Sequence, residues 1–107
     1  MIHLDIKPLS INEAWKGRRF KTEAYKRYSF AVSLMLPKLV VPEGLLKVYY
    51  EFGLSSNGAD FDNGIKPIQD ILQAKYGFND NRIMEAHIVK TVVPKGKEFI
   101  KFKIEAI

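Results

Sequence analysis

Two aspartates one residue apart, Asp60 and Asp62, sit in the stretch SSNGADFDNGIKPIQD (residues 55–70), just ahead of an apolar pattern of helical spacing. Side chains at i and i+2 of an extended chain share a face, so the two carboxylates converge if a strand conformation persists through Phe61. Like charges held together repel unless a cation lies between them. Hard oxygen donors of this kind suit Mg²⁺ or Mn²⁺, whose shells are completed by water and substrate phosphate. Asp80, in GFNDNR, is the candidate third ligand, because a strand-helix-strand unit can carry the far end of its helix back toward the sheet. Lys66 lies four residues after Asp62 and four before Asp70, which puts all three on one helix face if the helix begins early enough. An ammonium there can steady the charge that develops during phosphoryl transfer. The competing reading is that Asp, Asn and Gly simply mark a turn and that an aspartate ahead of a helix caps it. A calcium loop of the helix-loop-helix kind does not fit: counted from Asp60, glycine falls fifth rather than sixth, and Ile71 occupies the twelfth position where an acid is required.

These acids belong to a basic chain. Its 107 residues carry 17 Lys and Arg against 12 Asp and Glu, a net charge of +5 that favours a polyanionic partner. The surplus is local, because KGRRFKTEAYKR (residues 16–27) holds Lys16, Arg18, Arg19, Lys21, Lys26 and Arg27 against the single acid Glu23. These side chains are the candidate phosphate contacts, with Trp15 or Phe20 placed to stack on an unpaired base. Packing of at least one of these two aromatics on the sheet is the alternative. No cysteine is present, so disulfides, thiol catalysis and zinc thiolate sites are excluded. The sequence MIHLDIKPLS lacks the pattern of a secretory signal, and the apolar stretch FAVSLMLPKLVV is interrupted by serine, proline and lysine. The expectation is a cytoplasmic protein with no membrane association.

The elements that must position these groups follow from periodicity. Ile2, Leu4 and Ile6 alternate as a strand stopped at Lys7-Pro8, and residues 8–21 read as a loop. Thr22 caps a helix in which Tyr25, Tyr28, Val32 and Met35 recur until Pro37. Val48, Tyr50, Phe52 and Leu54 alternate as a second strand, and Ile65, Ile68, Leu72 and Tyr76 predict a helix over about 63–76 closed by Gly77. Pro67 fits the first turn but disfavours helical angles at Lys66. IMEAHIVKTVV and EFIKFKIEAI, joined by PKGK, predict a hairpin. The fold class is α+β: one domain over 1–107, a small mixed sheet with two helices in the order β-α-β-α-β-β. His3 and His87 fall within strands, far from the acids, and read as ordinary sheet residues.

The run DFDNGIKPIQDIL followed by GFNDNRI resembles the signature of the RusA-type endodeoxyribonucleases, small Holliday junction resolvases of bacteria and their phages. KPLSINEAWKGRRFKTEAYKRY resembles the start of the phage-borne branch, so the likeness spans nearly the whole chain. The resemblance implies a Mg²⁺-dependent enzyme, with Mn²⁺ as an alternative metal, that resolves four-way DNA by paired nicks in recombination and repair and acts as a homodimer. It implies metal-binding catalytic roles for Asp60, Asp62 and Asp80, a cleavage role for Lys66, and supporting places for Asn63 and Asp70. The chain departs from the family in one respect, since Asn79 stands where an acid often precedes the third ligand. A non-catalytic nucleic-acid-binding module, its aspartates serving as helix caps, is the rival expectation.

Overall fold

The computed structural model describes residues 1–17 and 20–107 of the chain. Arg18 and Arg19 lie outside the described residues. In chain order the elements are β1 (Ile2–Leu4), α1 (Ile11–Ala14), β2 (Trp15–Lys16), β3 (Phe20–Lys21), α2 (Glu23–Met35), β4 (Leu46–Leu54), α3 (Ile65–Tyr76), a single 3-10 turn (Asp80–Arg82), β5 (Ile83–Val92) and β6 (Phe99–Ala106). The α+β class holds, with a mixed sheet at its centre. No helix among the described residues is long and apolar enough to cross a membrane.

Both long helices begin and end where local chemistry dictates. Thr22 accepts a hydrogen bond from the Tyr25 N–H at 3.1 Å, satisfying one of the donors orphaned at the start of α2. That helix stops ahead of Pro37, with Tyr25, Tyr28 and Val32 on its buried side. Met35, expected on the same face, is half exposed, and Leu36 takes the buried place. Gly77 closes α3 in the left-handed conformation (φ 69°), its N–H bonded to the Gln73 carbonyl at 2.9 Å. Lys66 is helical despite preceding Pro67, since α3 begins at Ile65 and the proline occupies the first turn, where no N–H is needed.

The sheet order is β1-β6-β4-β5. The expected hairpin of β5 with β6 is not formed. β4 lies between them, parallel to β5 from Leu46↔Ile83 to Leu54↔Val92 and antiparallel to β6 from Leu46↔Ala106 to Gly53↔Phe99. The six residues 93–98 bridge the width of one intervening strand, ~10 Å at strand spacings of about 4.8 Å. β4 takes the centre because Leu46, Val48, Tyr50 and Phe52 are the residues with most to gain from burial, and each is at most 2 % exposed. They pack with Ile100 and Phe102 of β6, Val32 of α2, and Ile68 and Leu72 of α3 in one core.

Two further expectations are corrected. β1 covers three residues and ends at Leu4, ahead of Lys7-Pro8. The segment read as loop between 8 and 21 contains a one-turn helix held by a reciprocal capping box between Ser10 and Glu13, followed by the small β2-β3 ladder. The other side of the sheet is bare: Lys47, Tyr49 and Glu51 of β4 share it with Glu85 and His87 of β5 and Lys101, Lys103 and Glu105 of β6.

Candidate active site

The aspartate loop is a series of turns rather than a continuation of β4. Asn63 N–H donates to the Asp60 carbonyl at 3.4 Å and Ile65 N–H to the Asp62 carbonyl at 3.2 Å. The face-sharing expected of an extended D-x-D therefore does not apply. Capping is not what these residues do either. The N-cap of α3 is Gly64, with no side-chain cap, so the partial positive charge of the helix start is left unanswered by any capping group. Asp60 and Asp62 are exposed, and among the described residues neither carboxylate has a hydrogen-bonding or ionic partner.

The loop that carries them is nonetheless anchored. Lys90, on β5, donates to the carbonyls of Asn57, at 2.7 Å, and Ala59. Ile11 N–H donates to the Asn63 carbonyl at 2.8 Å. Gly64 lies so close to the core that a Cβ there would stand 3.1 Å from the Phe52 ring. Beside Asp60 the loop and the segment after β1 enclose a cleft of about 200 Å³, with Phe52 and Leu54 at its base and Pro8 and Leu9 along one wall. This cleft had no sequence signature, because its sides come from segments far apart in the chain.

Lys66 faces Asp70, not Asp62. The ion pair spans 3.2 Å across one helical turn, and the ammonium also lies 5.8 Å from the centroid of Trp15. Asp62 precedes the helix, so the three-residue face predicted from spacing reduces to Lys66 and Asp70. Burial, and then the negative charge of Asp70, raise the pKa of the Tyr25 hydroxyl. Tyr50 is raised by burial first, with Tyr28, Asp70 and Asp80 adding to it, and its hydroxyl donates to Gln69 Oε1 at 3.2 Å.

Asp80 lies at the other end of the unit. It opens the turn before β5, its N–H bonded to Gln73 Oε1 at 3.0 Å. Arg82, the last residue of the same turn, donates to the carbonyls of Gly44, at 2.9 Å, and Pro42, just ahead of β4. A parallel crossover returns the chain to the edge of the sheet from which it started. Asp80 is thus at the beginning of β4, while Asp60 and Asp62 follow its end. The twelve residues of α3 separate them, ~18 Å at 1.5 Å per residue. Within one chain the third acid does not join the pair, and among the described residues no group of three His, Asp or Glu side chains is placed to hold a metal ion.

The basic segment divides into packed and free side chains. Trp15 is half buried, 6.3 Å from Tyr25, with Lys21 Nζ 5.8 Å from its ring centroid. It is a packing residue, whereas Phe20 is 70 % exposed between the basic positions. Lys16 and Arg27 are exposed, and Lys26 pairs with Glu23 at 3.3 Å. His3 and His87 lie on the exposed sheet surface beside Asp5, at 2.8 Å, and Glu85, at 3.7 Å.

No protein-family model matches the chain and no curated protein matches its sequence, so the resemblance noted above stands on the motif residues themselves.

Proposed function

We propose that the protein is a metal-dependent, structure-specific endodeoxyribonuclease that cuts four-way DNA by paired nicks as a homodimer. One observation carries this reading: two exposed carboxylates without partners among the described residues, neither used as a cap, stand on an anchored loop at the bare start of a helix. Their donor set fits Mg²⁺ or Mn²⁺, which bind through one or two carboxylates and keep open positions for water and phosphate. When bound, such an ion supplies Lewis-acid charge at the scissile phosphate and makes water more acidic. Asp60 and Asp62 would hold the ion. Lys66, in the first turn of α3 and steadied by Asp70, offers a cation to a phosphate oxygen as negative charge develops. Asp80, remote within the chain, would complete the set from the second copy of the homodimer. A junction has near two-fold symmetry, and a C2 pair provides two such sites. Lys16, Lys21, Lys26 and Arg27 contact the backbone, while Phe20 stacks at the branch point.

The test is cleavage of a synthetic four-way junction with Mg²⁺, Mn²⁺ or Ca²⁺, comparing wild type with Asp62→Asn. Metal-dependent nicking by wild type and none by the variant, with junction binding retained or tightened, is the expected result. Equal nicking by both removes the aspartates from the chemistry. A second reading, a binding module without catalysis, draws on the separation of Asp80 from the pair. It predicts a shifted junction that stays intact in every metal.

A further inference from the structure

We propose that the cleft beside Asp60 receives a single unstacked nucleobase from the branch point. This deepens the nuclease reading and rests on it. At about 200 Å³ the cleft is smaller than the ~300–1,000 Å³ of pockets that enclose drug-sized ligands, so it admits one heterocycle and leaves the sugar and phosphate outside. Its chemistry matches that division. Leu54 and Leu9, both half-buried, supply apolar surface for a flat ring, with the buried Phe52 and Pro8 beneath them. Gly64 lets the loop pack directly on the Phe52 ring, where a Cβ would stand 3.1 Å from it, and so closes the floor of the cleft.

The rim carries the polar complement. Asn63 lines the cleft, and its side-chain amide, one donor group and one acceptor, has no partner among the described residues. An asparagine amide is suited to a bidentate contact with a base edge. Lys7 at the mouth is exposed and cationic, placed for the adjoining phosphate. Asp60 lines the same cleft. A base seated here therefore fixes which phosphate meets the aspartates, and the cleft sets both register and base preference of the cut.

The experiment uses a four-way junction with 2-aminopurine at the branch point, Ca²⁺ replacing Mg²⁺ so that the strands stay whole. Two variants close the cleft from its exposed side: Ala59→Leu and Ser56→Trp, each checked for an unchanged melting temperature. The expected result is a several-fold rise in 2-aminopurine emission with wild type, return to the free-junction level with both variants, and about tenfold weaker junction binding, in keeping with loss of one stacked base. Junction binding by wild type with unchanged emission overturns the cleft and leaves the nuclease reading intact, as do variants that keep full emission and affinity. No junction binding at low salt overturns both.

Discussion

Replacing Lys90 with methionine removes the anchor of the aspartate loop while keeping the length of the side chain. The ammonium holds two loop carbonyls, those of Asn57 and Ala59. Hydrogen bonds to a charged group contribute about 1.5–3 kcal/mol each, but both carbonyls lie on a solvated loop where water replaces much of what is removed. A net local cost of about 2 kcal/mol corresponds to a roughly 30-fold larger population of the opened loop. The cost falls on the loop and not on the core, since Lys90 is on an outer strand and the buried cluster does not include it. Native-state hydrogen exchange reads this directly. The amides of Asn63 and Ile65, bonded to the Asp60 and Asp62 carbonyls, should exchange about 30-fold faster in Lys90→Met, while amides of Val48 and Phe102 in the central strands keep their rates. The Mg²⁺ concentration for half-maximal nicking should rise by a similar factor. Unchanged exchange at residues 63 and 65, or equal acceleration in the core, would refute the idea that this lysine organises the loop.

Three other outcomes are expected. A mixture of Asp60→Asn and Asp80→Asn protomers, each inactive alone, should regain single-strand nicking of a junction, because the mixed dimer retains one site built from both copies; sites confined to one chain give no recovery. Gly53→Ala places a Cβ 2.3 Å from the Phe99 ring and should lower stability by ~1–3 kcal/mol, measured by urea denaturation, unless Phe99 swings into solvent without cost. Alanine at Lys21 or at Arg27 should weaken junction binding and reduce the slope of log affinity against log salt by ~0.9 for each phosphate no longer neutralised, and an unaltered slope excludes that residue from the interface.

The two long helices and the central strand were legible because their signals are local. Thr22 and Gly77 are end markers, and the 2- and 3.6-residue periods of β4, α2 and α3 are each visible without knowledge of neighbours. The pairing order was not. β5 and β6 carry the same alternation, and a six-residue connection fits a hairpin as well as a bridge over a third strand; competition for the buried centre decided it. α1 is too short for a period, although Ser10 and Glu13 carried its capping box in plain view. The acids show the same limit. Spacing identified Asp60, Asp62 and the Lys66-Asp70 pair, but the positions of Asp62 and Asp80 depend on where a turn begins and where a crossover lands, which are properties of the whole sheet.

The bare face of the sheet has an electrical consequence. On its three neighbouring strands Lys47, Lys101 and Lys103 are matched by Glu51, Glu85 and Glu105, three positive charges against three negative, and Asp5 beside His3 adds no positive charge to it. The net +5 of the molecule therefore resides wholly on the remaining surface. A lopsided charge of this kind is a permanent dipole: were the partner a strongly anionic rod, it would exert a torque as well as a pull and turn this face to the solvent. For such a partner, orientation would be settled during diffusion, before any close approach.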